Sequence, residues 1–498
     1  MLRTVHAAAP PPCPPMIDVP PLTYAFNRSG ALRPQQLERG VALLGDGSRL
    51  RRKLRSGLPV TIAAIGASNV QRGGCQDWQK PTRCAMPDIA GADPKTGLAR
   101  GWLLQAFQAI NRTWPHPRHR LVNSAVGAQH PQSFTTCFNK HVPMDADAVM
   151  LGFAEFCRGK NHLAPFTVQS STNFFQSIET MTRLALSRDD PPAVMLFVHK
   201  RFGCGKHQSY CGYETGCDTM LMQLAQWYRV SLVSLRNAMY LDADAQVVKD
   251  TETGVERRNP YFHKFWTIDQ GLHFDLGFGD RIAAELVYGW VRRMTERSAP
   301  DSGRSLSGVM PRQLSKVAQA SFSHSICFDF ADKRMDGTNR TQWDAFHRAP
   351  EPVVRRSDGW VQVGWDDGMT NGQLTRKWKP GMKALDRDAT LEVDTTQAGR
   401  GRVRVGYLQT YSSHAKARLT CLAPCACASS ILKANTATRT STIKFSPWVN
   451  FSSTQPCVLR LQLETHNESF KFSALQVVSG DAEIRKDANV QEPVEDGE

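Results

Sequence analysis

Long apolar stretches are absent from this 498-residue sequence, and no segment approaches the 18 uncharged apolar residues that a membrane-spanning helix needs. We therefore expect a chain without a transmembrane segment. Motifs for binding RNA or DNA are also absent, and the 61 Lys and Arg residues, which give a net charge of +15, are spread along the whole chain. This distribution favours a solvated basic surface suited to an anionic polysaccharide over a nucleic-acid partner.

The first residues, MLRTVHAAAPPPCPP, lack the apolar core of a signal peptide. Two other features nevertheless predict the secretory pathway, the extracellular space or a cell wall. The first is the presence of 13 cysteines, an odd count that leaves at least one unpaired. Many of them lie in loop-like stretches, which favours disulfides in an oxidising compartment. The second is a set of five glycosylation sequons: Asn27, Asn111, Asn339, Asn450 and Asn467.

Metal binding by these cysteines is the alternative use. The spacing of Cys204, Cys211 and Cys217 matches no zinc pattern, so disulfides or a free thiol are favoured there. A second group, which resembles a metal knuckle, leaves both uses open, although disulfide pairing is favoured: Cys421, Cys425, Cys427 and Cys457. We therefore expect no metal site and no cofactor.

Residues 58–297 alternate buried strands with amphipathic helices. This alternation predicts one α/β domain, a flavodoxin-like three-layer sandwich with a central parallel sheet. The strands are predicted at Val60–Ile65, Arg120–Asn123, Asp147–Ala154, Ala193–His199 and Val230–Leu235, and the helices at Gly97–Trp114, Asn173–Ser187, Asp218–Tyr228 and Asp280–Met294. Residues 1–57 are Pro-rich and then basic, and we predict a poorly ordered leader with one helix near Pro34 to Leu44.

Beyond a predicted linker, residues 298–321, the pattern changes to short alternating strands separated by turn residues. Residues 322–482 are predicted to form an antiparallel β-sandwich domain. Its strands are predicted at Trp360–Trp365, Thr390–Val393, Arg402–Tyr407, Ala417–Cys421, Ser441–Phe445, Val458–Leu463 and Phe470–Val478. The acidic, polar residues 483–498 are predicted to be a disordered tail.

The first predicted strand ends at Gly66, and Ser68 follows two residues later. A short apolar run ended by glycine is typical of a buried parallel strand, which carries the next residues to the carboxyl edge of the sheet. Open α/β folds keep their active sites at that edge, so Ser68 is a candidate nucleophile. The alternative is a Gly-Ser pair that only turns a corner. A long irregular segment from Val70 to Lys95 is expected to overhang this serine.

Late in the α/β domain, Asp269 and His273 lie in one loop just before the closing helix. A serine nucleophile needs a histidine that takes its proton, a carboxylate that orients the histidine, and donors for the oxyanion. An Asp and a His in one loop can both reach a serine across the sheet edge. Taken alone, the pair is better explained as a loop histidine and a solvated aspartate.

The order of these features resembles the SGNH, or GDSL-type, hydrolase family. Residues 64–69, AIGASN, resemble its serine block, with Ala67 in place of the usual Asp. Residues 122–129, VNSAVGAQ, resemble the block that supplies a glycine N–H to the oxyanion. Residues 269–287 resemble the terminal Asp/His block, and the chain from 58 to 480 looks like a two-domain version seen in green algae.

The resemblance implies a role for each matching residue. Ser68 is expected to be the nucleophile, His273 the general base and Asp269 the carboxylate that orients it, with the oxyanion held by the backbone N–H groups of Ser68 and Gly127. The family cleaves O-acyl esters, which include acetylated carbohydrates and lipids. We therefore expect an acyl or acetyl esterase that acts on a small-molecule or polysaccharide ester; the sequence does not address its oligomeric state.

One departure from the family concerns the oxyanion. The third block usually reads Gly-x-Asn-Asp, and its Asn side chain donates to the oxyanion. Here the Asn position falls on Ala154 when the alignment starts at Gly152, or on Phe156 in a longer register. Neither side chain has a donor, and removal of one oxyanion donor costs about 10²–10³ in rate. The alternative function is therefore a weakened or inactive member that binds a glycan or ester.

A second departure concerns spacing. Family members usually read Asp-x-x-His, whereas one extra residue separates Asp269 from His273 here. The loop absorbs this residue, or the carboxylate misses its histidine. For the missing amide, Asn69 and Gln129 are candidate replacements because they lie next to Ser68 and close to Gly127 in the sequence.

Overall fold

A computed structural model of the protein describes residues 32–71, 101–126, 129–156, 168–199, 218–244, 248–249, 256–257, 278–296, 311, 314, 325–329, 353–370, 373–384, 386–411, 413–436 and 441–479. They form an α/β domain followed by a domain of antiparallel sheets. The predicted segment over the serine, most of the predicted linker and the predicted acidic tail lie outside these residues.

The α/β domain contains the following elements: α1 (Pro34–Gly40), β1 (Val41–Leu43), α2 (Ser48–Arg55), β2 (Thr61–Gly66), α3 (Ser68–Gln71), α4 (Trp102–Thr113), β3 (Arg120–Asn123), α5 (Gln132–Thr136), α6 (Phe138–His141), β4 (Ala148–Gly152), a 3₁₀ turn (Ala154–Phe156), α7 (Val168–Leu186), β5 (Ala193–Val198), α8 (Asp218–Tyr228), β6 (Ser231–Ser234), α9 (Leu235–Asp244), β7 (Val248–Lys249), β8 (Glu256–Arg257) and α10 (Phe278–Glu296). The small strands β7 and β8 pair antiparallel with each other, apart from the main sheet.

The main sheet has six strands in the order β1-β6-β5-β4-β2-β3. Strands β2 to β6 pair in parallel, and their order is that of a flavodoxin-like sheet, as the sequence predicted. Strand β2 lies between β3 and β4, and all six of its residues are buried. Burial on both faces explains why this strand reads as a continuous apolar run instead of an alternating one.

Each face of the sheet has its own apolar cluster. On one face, the odd-numbered β5 residues such as Phe197 pack with side chains of α4 and α10, including Trp102 and Trp290. On the other face, the even-numbered β5 residues such as Leu196 pack with side chains of α7 and α8. The predicted helices therefore cover both faces, and the three-layer architecture is confirmed.

The N-terminal segment departs from the expected leader. Residues 32–57 form α1, β1 and α2, and β1 extends the sheet as an antiparallel edge strand on β6. Leu50 and Leu54 of α2 are buried in the first cluster. Two cations of α2, Arg49 and Lys53, contact the buried carboxylate of Asp147. These contacts order the segment, so the α/β domain begins at or before residue 32; residues 1–31 lie outside the description.

The second domain contains the following strands: β9 (Ser325–Asp329), β10 (Val354–Asp358), β11 (Trp360–Thr370), β12 (Gln373–Ala384), β13 (Thr390–Asp394), β14 (Gly399–Thr410), β15 (Lys416–Leu422), β16 (Ser430–Lys433), β17 (Ser441–Phe445), β18 (Val449–Ser453), β19 (Val458–Leu463) and β20 (Phe470–Ser479). One sheet has the order β10-β13-β19-β15-β16. The other has the order β11-β12-β20-β14-β17, with β9 paired to β20 and β18 paired to β14.

The pairs in both sheets are antiparallel, and the two inner faces share one core that includes Leu391, Leu461, Phe470 and Phe472. This arrangement is the β-sandwich that the sequence predicted, and each of the seven predicted strands is present. Five further strands were not predicted: β9, β10, β12, β16 and β18. Several of them carry few apolar residues or border the sheets, so their alternation is weak.

Disulfides resolve the alternative uses of the C-terminal cysteines. Cys421 pairs with Cys427, and Cys425 pairs with Cys457. A disulfide sulfur is no longer a thiolate ligand, so this group serves as two crosslinks of the sandwich and not as a metal knuckle. The prediction of disulfides is confirmed for these residues.

A third disulfide joins the two domains. Cys137, which lies between α5 and α6, pairs with Cys327 of β9 across 190 residues of sequence. Polar bonds accompany it: Gln476 donates from Nε2 to Ser133 O at 2.8 Å and to Cys137 Sγ at 3.2 Å. Arg404 donates from Nε to Gln476 Oε1 at 2.6 Å. A disulfide and hydrogen bonds thus connect the α5 region to the β-sandwich.

The described part of the linker lies against α7. Arg183 donates from Nη1 to Pro311 O at 2.7 Å, and the N–H of Leu314 donates to Glu179 Oε1 at 2.6 Å.

Among the described helices, none is long and apolar enough to cross a membrane. Three sequon asparagines fall in described regions, and all three are exposed: Asn111, Asn450 and Asn467.

Candidate active site at the carboxyl edge of the parallel sheet

Strand β2 delivers Ser68 to the carboxyl edge of the sheet, where it is the first residue of the short helix α3 and is half-buried. Backbone hydrogen bonds fix the turn between β2 and α3. The N–H of Ala67 donates to Gly152 O at 3.3 Å, and the N–H of Gln71 donates to Ala67 O at 2.8 Å. Ser68 therefore lies on backbone that the neighbouring strand β4 fixes.

Neighbouring elements also fix α3. Asn123, the last residue of β3, donates from Nδ2 to Val70 O at 2.9 Å and to Gln71 O at 3.2 Å. Trp102 of α4 donates from Nε1 to Asn69 O at 3.0 Å. Three elements, β3, β4 and α4, thus set the position of the serine, and a nucleophile needs this kind of pre-organisation.

Glycine is required where β2 and β4 end, because the backbone and Val70 approach closely. A Cβ on Gly66 would overlap the carbonyl oxygen of Gly152 and would lie 2.5 Å from Val70 Cγ2. A Cβ on Gly152 would also lie 2.5 Å from Val70 Cγ2, and its next neighbours, at 3.9 Å, are in ordinary contact. Val70 is fully buried, and its side chain fills the space between the ends of β2 and β4.

This geometry predicts coupling between Gly152 and Val70. We expect Gly152→Ala to destabilise the protein by about 1–3 kcal/mol through overpacking. In a Val70→Ala background the same change should cost at least about 1 kcal/mol less, because the overlapping methyl is gone. Urea unfolding of the four proteins measures the coupling. Gly66→Ala is the control, since its overlap with a backbone oxygen persists without Val70. Equal costs of Gly152→Ala in both backgrounds would contradict the geometry.

The loop that follows β3 lies directly beside the serine turn. The N–H of Val126 donates to Gly66 O at 3.0 Å, and the N–H of Gln129 donates to Val126 O at 3.1 Å. These two bonds place Val126 next to the end of β2. Gly127, the predicted oxyanion donor, lies outside the described residues.

The loop that follows β4 carries the departure from the family pattern. Residues Ala154–Phe156 form a 3₁₀ turn; Ala154 is buried and Phe156 is half-buried. In either register the position has no hydrogen-bond donor on its side chain. Cys157, which follows, lies outside the described residues.

Asp269 and His273 also lie outside the described residues, but the helix that follows them is described. The far end of α10 lies at the amino edge of the sheet, because Thr295 O accepts a hydrogen bond of 2.8 Å from Arg55 Nε, just before β2 begins. A helix of 19 residues spans about 28 Å, so α10 begins at the carboxyl edge. His273 stands five residues before that beginning.

Two histidines at this edge were missed in the sequence. His199 follows β5 directly, is buried, and has its Cε1 3.9 Å from the place that a Cβ on Gly152 would occupy. His130 lies three residues beyond Gly127, and its ring meets the ring of Phe156 edge-on at 5.2 Å between centroids. The sequence does contain a signal for each of them: His199 directly follows a buried parallel strand, and His130 lies close to the predicted oxyanion glycine.

Comparison with known proteins places the fold. No protein-family model and no curated protein matches the chain. Among solved structures, a two-domain esterase active on acetylated mannans matches 88% of this chain and 97% of its own, with 15% identity and a TM-score of 0.52. The same esterase co-crystallised with mannopentaose matches equally, with 15% identity and a TM-score of 0.50.

Another match covers a smaller share of the chain. A family 35 carbohydrate-binding module from Cellvibrio japonicus matches 31% of this chain and 94% of its own, with 13% identity and a TM-score of 0.19. At 15% identity the likeness to the two-domain esterase concerns the fold alone.

Proposed function

We propose that the protein is an SGNH-type serine esterase that removes acyl groups, above all acetyl groups, from carbohydrates. The observation that carries this proposal is the position of Ser68. It lies at the carboxyl edge of a flavodoxin-like sheet, on a turn that β4 fixes and near Val126, whose N–H donates to Gly66 O. The start of α10 lies at the same edge, and His273 stands five residues before it in the sequence, which supports its role as the base.

In this mechanism His273 takes the proton of the Ser68 hydroxyl as the oxygen attacks the ester carbonyl. Asp269 holds the imidazole in the tautomer whose Nε2 accepts that proton. The backbone N–H groups of Ser68 and Gly127 donate to the oxyanion of the tetrahedral intermediate. The protonated His273 then gives the proton to the departing alcohol. Water, deprotonated by the same histidine, releases the acid from the serine.

Several observations support a carbohydrate ester as the substrate. The solved structure with the same two-domain fold is an esterase active on acetylated mannans. A net charge of +15 suits an anionic or mixed polysaccharide, and three described disulfides suit an extracellular location or a cell wall. The exposed sequon asparagines fit glycosylation on the way there.

One observation favours a second function. The third block has Ala154, or Phe156 in the longer register, where the family has its amide donor. A protein of this fold that binds its substrate but no longer catalyses hydrolysis would bind glycans or esters without cleaving them. Retention of both Ser68 and His273 favours the esterase, because binding alone gives no reason to keep that pair.

The test uses the full-length protein. We expect covalent labelling by a fluorophosphonate probe and release of acetate from p-nitrophenyl acetate and from acetylated mannan, because an activated serine attacks all three acyl or phosphonyl centres. In-gel fluorescence and an acetate assay measure the two results. Heat-denatured protein is the control for labelling and deacetylated mannan the control for release. A folded protein that neither labels nor releases acetate would leave the binding function, which affinity electrophoresis in mannan would then measure.

A further inference from the structure

The oxyanion of an acyl-transfer intermediate is usually held by three donors in this kind of site, and the third block of this chain offers none. Among the described residues near Ser68, His130 is a side-chain donor that lies on the loop after β3 and contacts the loop after β4.

The topology places His130 across the end of β2. Strands β3 and β4 flank β2, so their ends are two strand spacings, about 9.6 Å, apart. His130 comes from the loop after β3, and Phe156 comes from the loop after β4. Their rings meet at 5.2 Å between centroids. His130 and Phe156 therefore meet across the end of β2, near the turn that carries Ser68, and His130 packs on the side chain that takes the Asn position in the longer register.

The hydrogen bonds of His130 define its tautomer. The N–H of Gln132 donates to His130 Nδ1 at 3.3 Å. A nitrogen that accepts a hydrogen bond carries no proton, so the neutral imidazole holds its proton on Nε2 and presents that N–H as a donor. The side chain is half-buried, so part of the ring remains accessible to a substrate.

Burial also defines the charge of this ring. Desolvation lowers the pKa of His130 from 6.5 to about 4, so the imidazole is neutral at neutral pH. An imidazole with so low a pKa is a weak base, so this ring suits the donation of a hydrogen bond better than the acceptance of a proton. The role of general base stays with His273.

The loop that carries His130 is held firmly. Ser133 donates from Oγ to His130 O at 2.6 Å. The helix α5 that begins at Gln132 is tied to the β-sandwich through Gln476 and through the disulfide of Cys137. A donor that is fixed before the reaction stabilises an oxyanion without the cost of reorganisation.

We propose that His130 is the third oxyanion donor, in which the Nε2–H of a neutral imidazole replaces the missing Asn amide. This inference rests on the proposed esterase function. No bond to His130 forms or breaks: the Nε2–H donates to the oxyanion as negative charge develops on the carbonyl oxygen, and the bond weakens when the carbonyl re-forms.

The test compares kcat and KM for p-nitrophenyl acetate in the full-length protein. We expect His130→Leu to lower kcat about 100-fold with KM changed less than about threefold, because the donor acts in the transition state. His130→Gln, which restores an amide donor, should recover to within about tenfold of the wild type. The pH profile of His130→Gln should keep the acidic limb of the wild type, since that limb belongs to the general base.

A matched control is available at the opposite edge of the sheet. His116 is also half-buried and also accepts, through Nδ1, the N–H of the residue two positions later, Arg118, at 3.0 Å. His116→Leu should leave kcat unchanged. Thermal unfolding shows that each variant is folded.

The outcomes separate the inference from the function on which it rests. A wild type without turnover overturns both. A wild type with turnover and a His130→Leu variant of equal kcat overturns the inference alone. The same holds if His130→Gln is as slow as His130→Leu, which would show a packing role, or if Gln129→Ala or Asn69→Ala produces the loss of kcat in place of His130→Leu.

Discussion

Replacement of Ser68 by alanine is expected to abolish fluorophosphonate labelling and to lower ester turnover by about 10³- to 10⁶-fold. The alanine cannot form the acyl intermediate, and only binding and the oxyanion donors then remain. A loss of turnover of about 10⁶-fold is expected if the wild type is a fully active serine hydrolase. A loss of about 10³-fold is expected if the missing amide donor of the third block has already lowered the rate of the wild type.

The fold should tolerate this change. Ser68 is half-buried at the start of a four-residue helix, and the bonds of its turn are made by the backbone of Ala67 and Gln71. Ser187→Ala is the matched control: that hydroxyl is exposed, donates to Leu184 O at 3.1 Å and lies near the opposite edge of the sheet. Persistent labelling of Ser68→Ala would show that another residue is the nucleophile.

The largest expected effect on stability concerns Asp147. Its side chain is fully buried at the amino edge of the sheet. Oδ1 accepts from Arg49 Nε and contacts Lys53 Nζ, both at 2.7 Å, and Oδ2 accepts the N–H of Thr61 at 2.8 Å. Asp147→Ala would leave these groups without their carboxylate, and we expect a loss of about 3–5 kcal/mol.

Asp145→Ala provides the control, since its carboxylate and the guanidinium of Arg120 form an exposed pair at 3.1 Å. We expect that change to cost at most about 1 kcal/mol. Urea unfolding of both variants measures the difference. The folded fraction of Asp147→Ala should keep the kcat of the wild type, because this carboxylate lies at the edge opposite Ser68. A cost for Asp147→Ala as small as that of Asp145→Ala would contradict the role of the buried carboxylate.

Asp147 also explains why the N-terminal segment was misjudged. The run from Arg51 to Arg55 is basic, and β1 has only three residues, so the local pattern favours a disordered leader. Two distant partners order this segment. The carboxylate of Asp147, 98 positions after Arg49, binds α2, and strand β6, still further along the chain, pairs with β1. No local pattern records such partners.

The site was predictable to the extent that it depends on strand ends. The buried run of β2 and the glycine that ends it place Ser68 at the carboxyl edge, and the structure describes it there. Gly127, Asp269 and His273 lie outside the described residues, and their roles stay predictions. The pairing of His130 with Phe156 could not be read from the sequence, because the two residues meet only when β3 and β4 flank β2.

The sequence by itself determined the two-domain architecture and the strand that carries Ser68, since buried strands and alternating strands leave periodicities that local residues alone create. Only the tertiary structure decided which partners those elements acquire. It joined the basic helix α2 to Asp147, Cys137 to Cys327, and the loop of His130 to that of Phe156. Each of these contacts joins residues far apart in the chain, and their energy depends on burial and geometry that exist only after the chain has folded.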